Sequence, residues 1–140
     1  MIVLDTNVIA ELMRPRPEPK VLAWADRLAP ATVGITTMSE AEILHGIARL
    51  PEGRRREELQ RCWDALLPAL FSERVLAFDR EAAHWYAQLL RQRERLGRPM
   101  TTADAVIAAT TLVLGAVLAT RNVADFEGIG IDLINPWHSA

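Results

Sequence analysis

Along this chain, short apolar runs alternate with longer stretches in which apolar residues recur every three or four positions. That alternation predicts βαβ units around a parallel sheet, an α/β architecture. Ile2 to Leu4 reads as the first strand, and Asp5 or Thr6 is placed to cap a short helix running to about Met13. Arg14-Pro15-Arg16-Pro17 stops it, because proline cannot continue a helix. Glu18 to Leu28 carries Val21, Leu22, Trp24, Ala25 and Leu28 at helical spacing. Val33 to Thr36 predicts a second strand, and Ser39 is placed to cap a helix to about Leu50. On that helix Ala41, Leu44 and Ala48 share one face, with Ile43, Ile47 and Leu50 beside them. Pro51-Glu52-Gly53 turns the chain, Arg54 to about Leu70 is helical, and Val75 to Phe78 predicts strand three. Asp79 caps a long helix through Leu96, halted by Gly97 and Pro99. Thr101 or Thr102 opens a helix that ends at Gly115. Val117 to Ala119 and Ile131 to Ile134 complete about five short strands among about six or seven helices.

Length and composition narrow the class. Residues 1–140 suit one domain with a single core, and half of them are apolar. No apolar stretch reaches the roughly 20 residues of a membrane span, and no basic segment leads into an apolar run as in a secretory signal. Cys62 is the only cysteine, which rules out an intrachain disulfide and fits a reducing cytoplasm. The net charge of −2 supplies no bulk attraction to nucleic acid. Of sixteen basic residues only Lys20 is lysine, and arginine is the better bidentate partner for phosphate. Four tryptophans are many for this size; Trp24 and Trp85 each lie in an apolar helical stripe, which predicts core packing for both.

Candidate chemistry sits at strand ends and helix starts. Ligands of open parallel sheets lie outside the carboxyl ends of the strands, and Asp5 stands at the tip of the first. Glu42 lies on the helix after strand two, one turn from Gly46, which costs helix stability and has as one physical use room beside the carboxylate for a ligand or a close-packed backbone. Glu40, in the first turn of the same helix, is assigned to the helix dipole instead. Asp104 opens a helix with no charge from Ala105 to Thr120, so it is held on a largely buried element. Thr120, Arg121 and Asn122 follow strand four. Thr120 can bond a neighbouring carboxylate, Asn122 offers a neutral oxygen, and Asp125 is a nearby acid that can serve instead. Carboxylates converging without a lysine favour a hard divalent cation, Mg²⁺ or Mn²⁺, and hence phosphate chemistry. His45, His84, His138 and Cys62 lack zinc spacing, and no glycine-rich phosphate loop is present.

These residues resemble a known family. Ile2-Val3-Leu4-Asp5-Thr6-Asn7, Glu42-Ile43-Leu44-His45-Gly46, the helix start at Asp104, Thr120-Arg121-Asn122 with Asp125-Phe126, and Asn135-Pro136-Trp137 are similar in kind and order to the PIN-domain ribonucleases. The likeness is greatest to their VapC toxins and, within these, to the FitB-like members. It covers essentially the whole chain. It implies a three-layer α/β/α sandwich with a central, mostly parallel five-stranded sheet. It implies Mg²⁺- or Mn²⁺-dependent hydrolysis of RNA in a homodimer bound by a VapB-type antitoxin. Carried over, Asp5, Glu42 and Asp104 are the catalytic and metal-holding acids. Thr6 and Thr120 match hydroxyls that orient the first carboxylates. Many relatives have aspartate where Asn122 stands, so the fourth place falls to Asn122 or Asp125, and one metal or two are both open. Arg121 is the candidate grip on the RNA backbone.

Other classes compete. A phosphotransfer receiver or a haloacid-dehalogenase-like phosphatase also has an aspartate after strand one, but each relies on a lysine at a later strand end, where this chain has none. A PIN fold that grips RNA or an antitoxin and cleaves poorly, with Asn122 replacing an acid, is the alternative. A DNA-directed nuclease is compatible with the same residues.

Overall fold

The computed structural model of the chain describes residues 1–72 and 74–138. Ile2–Leu4 (β1) lies at the middle of a five-stranded sheet with Val33–Thr36 (β2), Val75–Leu76 (β3), Val117–Ala119 (β4) and Asp132–Ile134 (β5). The order is β3-β2-β1-β4-β5, and every pairing is parallel. Leu4 pairs with Ala119, which brings the residues that follow them, Asp5 and Thr120, side by side.

Strands buried on both faces need apolar residues at successive positions. Val3 joins the core on one side of β1 and Leu4 the core on the other, as Leu118 and Ala119 do on β4. Over the Leu4 face pack Thr6–Leu12 (α1), Pro19–Asp26 (α2), Thr37–Ala48 (α3) and Arg54–Phe71 (α4). Arg80–Arg95 (α5) and Thr102–Val113 (α6) cover the Val3 face. The result is the three-layer α/β/α sandwich. On α6, which carries no charge after Asp104 in its first turn, every residue from Ala105 to Thr111 is buried. Its two buried threonines return their hydroxyls to Val106 O and Ile107 O at 2.8 Å.

Several boundaries differ from the sequence expectation. The cap of α3 is Thr36, whose side chain accepts from Ser39 N; Ser39 itself lies buried in the first turn. The inward face of α3 is Ser39, Ile43 and Ile47, while Ala41, Leu44 and Ala48 face outward. Sequence spacing shows which residues share a face, and only the position of β2 shows which face turns inward. Strand three ends at Leu76, because β2 offers it partners only at Ile35 and Thr36. Asp5 caps α1, and Thr101 rather than Thr102 caps α6. Trp24 is buried, but Trp85 is 37% exposed on the outer face of α5. Among the described residues no helix is long and apolar enough to cross a membrane.

Candidate active site

The strand order changes direction between β1 and β4, since the chain builds outward to β3 and then restarts on the other side of β1. Such a boundary leaves a crevice at the carboxyl ends of the strands. Asp5 and Thr120 stand on its two sides. Asp5 N donates to Ala119 O at 2.9 Å, which continues the β1–β4 ladder up to the carboxylate. Asp5 Oδ1 accepts from Thr6 N at 2.8 Å, and Oδ2 accepts from Thr120 Oγ1 at 2.8 Å and Asn7 Nδ2 at 3.3 Å. Burial is the largest influence on Asp5 and outweighs these bonds. With the charges of Asp104 and Glu42 added, its pKa is raised from 3.8 to about 6.

Glu42 projects from α3 into solvent, and its Oε1 accepts from Thr6 Oγ1 at 2.7 Å. Thr6 Oγ1 also lies 3.0 Å from Ser39 Oγ, so α1 and α3 are tied together at the site. Asp104 is half-buried in the first turn of α6, where its backbone N–H donates to Thr101 Oγ1. Its carboxyl is also pushed above the ordinary value, first by burial and then by Asp125 and Glu42; the Thr101 bond and Arg93 oppose this. Asp5, Glu42 and Asp104 thus come from three elements and act on one another electrostatically.

The remaining candidates surround them. Thr120 is fully buried; besides donating to Asp5, its hydroxyl accepts from Asn7 Nδ2 at 3.3 Å and Asn122 N at 3.1 Å. Asn122 precedes the 3-10 turn Val123–Phe126 and is exposed. Asp125, within that turn, is exposed and contributes its charge to Asp104. Arg121 donates its backbone N–H to Asn7 Oδ1 at 3.2 Å and holds its guanidinium 4.9 Å from the Trp137 ring centroid.

Three participants were not singled out from the sequence. Asn7 links Asp5, Thr120 and Arg121 N; its signal was its place two residues after the strand-tip acid. Ser39 had been assigned to a cap. Arg93 is a buried cation on α5, 4% exposed, and its only sign in the sequence is a charge continuing an apolar stripe.

A groove of about 530 Å³ is lined by Glu42 and Thr6, by the apolar Met13, Ile43, Ile47 and Leu59, and by Arg14 and Arg55. Gly46 lies on its wall, with nothing within 4 Å of the place a Cβ would occupy. No backbone packs closely against Gly46, so of the two uses a glycine has here the structure shows open space and not a close approach.

Hard oxygen donors with excess negative charge, one of them desolvated, are the donor set a hard dication accepts. By charge and chemistry Asp5, Asp104 and Glu42 fit such an ion. Among the described residues, however, no three acidic, imidazole or thiol groups gather within ligating reach of one point.

Comparison with known proteins matches residues 2–130 to the PIN domain. A VapC ribonuclease of Sinorhizobium fredii is 44% identical over 141 residues, covering 100% of both chains. Toxin FitB of Neisseria gonorrhoeae is 38% identical, covering 99% of each. A solved structure of FitAB bound to an IR36 DNA fragment superposes with a TM-score of 0.92 at 38% identity, covering 100% of this chain and 98% of that one.

Proposed function

The chain belongs to the PIN-domain family, in its VapC/FitB toxin branch, and from that premise we propose that it is a divalent-metal-dependent endoribonuclease, the toxin of a type II toxin–antitoxin pair. The observation that carries this reading is the crevice itself. Desolvated Asp5 is locked to Thr120 across the β1–β4 boundary, with Glu42 held beside it by Thr6 and Asp104 within electrostatic reach.

Asp5, Asp104 and Glu42 would hold Mg²⁺ or Mn²⁺. When bound, such an ion lowers the pKa of a nearby water and offsets charge developing on the phosphoryl oxygens. The protein's own groups do the rest. Thr120 and Thr6 N fix both Asp5 oxygens, and Thr6 Oγ1 fixes one oxygen of Glu42. The other Glu42 oxygen is directed to the attacking water, whose proton it takes up. The water oxygen bonds to phosphorus as the P–O3′ bond breaks, and the departing oxygen takes a proton from solvent. The products are a 5′-phosphate and a 3′-hydroxyl. Arg121, held over Trp137, grips a backbone phosphate of the RNA.

The groove that Glu42 lines is mostly apolar and includes two arginines, Arg14 and Arg55. That suits a peptide segment of a VapB-type antitoxin, whose binding there would cover Glu42. Exposed Phe78 and Trp85 supply apolar surface for a homodimer. A metal-titrated cleavage assay on RNA tests the reading. Metal-dependent product that is lost in Asp5→Asn is the expected result. A folded protein that binds RNA yet yields no product at any Mn²⁺ concentration would establish the non-cleaving alternative.

A further inference from the structure

We propose that Arg14, held in place by the buried carboxylate of Glu11, binds an RNA phosphate next to the scissile one, in the groove that Glu42 also lines. The inference rests on the nuclease reading above.

Glu11 is 6% exposed on α1, buried there with Val8 and Ile9. A carboxylate in that place carries a large desolvation cost, so packing alone does not account for it. Both of its oxygens accept from Arg14 Nη1 at 3.2 Å, and Oε2 also accepts from Glu18 N at 3.0 Å. Arg14 N donates to Glu11 O at 3.1 Å. Glu11 thus grips both ends of the segment 14–18, whose Pro15 and Pro17 have no N–H to hold it by.

Arg14 is anchored through one nitrogen and otherwise open. Its side chain is 64% exposed, and among the described residues no further acceptor takes its remaining N–H groups. The ionisable groups that line the groove are Glu42, Arg14 and Arg55, two cations to one acid. Arg55 is exposed and has no ion pair among the described residues. With Glu42 serving cleavage, the scissile phosphate lies beside it, and the strand carries its neighbouring phosphate along the same groove. A planar guanidinium with unused donors takes two oxygens of such a phosphate at once. An antitoxin segment seated in the groove competes with RNA for the same arginine.

Binding of a labelled single-stranded RNA to the full chain, in the Asp5→Asn background so that RNA is not consumed, tests this by fluorescence anisotropy over a series of salt concentrations. Arg14→Gln is expected to weaken binding by about tenfold and to lower the salt slope by about 0.7, the share of one phosphate contact. A merely structural role for Arg14 would leave that slope unmoved. Glu11→Gln should also weaken binding, although loss of its negative charge alone would tighten it, and it should add no loss to Arg14→Gln. Unchanged or tighter binding in Glu11→Gln overturns the proposal, as does an unchanged salt slope in Arg14→Gln. If Glu11→Gln does not fold, Glu11→Asp keeps the charge and shortens the reach to Arg14; RNA affinity should fall, and an unaltered affinity refutes the proposal. Unaltered RNA affinity in Arg14→Gln together with weaker capture of the antitoxin would assign the groove to the protein partner alone and overturn it too. A wild-type chain that neither binds nor cleaves RNA removes the nuclease reading together with this one. Wild-type cleavage with RNA binding indifferent to Arg14 removes this one alone.

Discussion

Thr120 Oγ1 donates a 2.8 Å hydrogen bond to Asp5 Oδ2, joining side chains 115 positions apart across the boundary between β1 and β4. Thr120 therefore belongs to the site as much as the acid does. Thr120→Val removes one of two acceptors of Asn7 Nδ2, the hydroxyl acceptor of Asn122 N and one of three donors to Asp5. The fold is expected to lose about 1–3 kcal/mol by chemical denaturation. The pH midpoint of cleavage should move upward, because the Thr120 bond lowers the Asp5 pKa. Thr120→Ser should restore both; a midpoint unmoved in Thr120→Val would detach Thr120 from Asp5 chemistry.

Asp5→Asn keeps an acceptor for Thr120 and removes the charge. Cleavage of RNA should fall by about a hundredfold or more. The melting temperature at pH 7.5 should hold or rise, since the penalised charge has gone. Wild-type turnover in this variant would take Asp5 out of the mechanism.

The pH dependence of stability has a defined sign. An acid raised from 3.8 to about 6 on folding contributes stability fully below its unfolded value and loses it as pH rises through about 6. The loss at neutral pH is about 3 kcal/mol. In EDTA, wild type should therefore lose stability relative to Asp5→Asn between pH 4 and pH 7 (roughly the interval between the two pKa values). Mn²⁺ should stabilise wild type more at pH 7.5 than at pH 5. Parallel pH curves for the two proteins in EDTA would contradict the burial of the Asp5 charge.

Thr6→Val cuts the 2.7 Å bond to Glu42 Oε1. It also takes the hydroxyl partner from buried Ser39 Oγ, so stability should fall by about 1–3 kcal/mol. Cleavage should drop by about tenfold, as expected when a catalytic group loses its orientation. Equal rates for Thr6→Val and wild type would show that Glu42 needs no such support.

Gly46→Ala places a methyl group in open space within a helix, so it should stabilise the chain by about 0.5–1 kcal/mol. Gly46→Leu projects into the groove and should keep the fold while weakening capture of an antitoxin segment, read by co-purification of the pair. Undiminished capture by Gly46→Leu would place the partner elsewhere.

Much of this architecture was legible along the chain. Asp79 and the Gly97–Pro99 pair delimit α5, and the uncharged stretch after Asp104 marks a buried helix, because caps and periodicity act over a few residues. The outward turn of Leu44 and the exposure of Trp85 were not legible, since a helical stripe says which residues share a face and not what covers it. Ser39 has capping chemistry, but Thr36, three residues earlier, has the same chemistry and the better position at the strand end, so Thr36 caps α3.

By itself the sequence determined the class of the protein: five short apolar runs between amphipathic helices, with acids placed where such runs end. Which polar residues meet Asp5 and Glu42 was decided only by the parallel register of β1 with β4, which sets Thr120 on Asp5, and by the packing of α1 on α3, which sets Thr6 on Glu42. Local order follows from backbone geometry and periodicity, whereas the encounter of Asp5 with Thr120 depends on strand order, which no short window of sequence encodes. The same holds for Arg93, whose buried charge has meaning only once three carbonyls of a distant turn close around it.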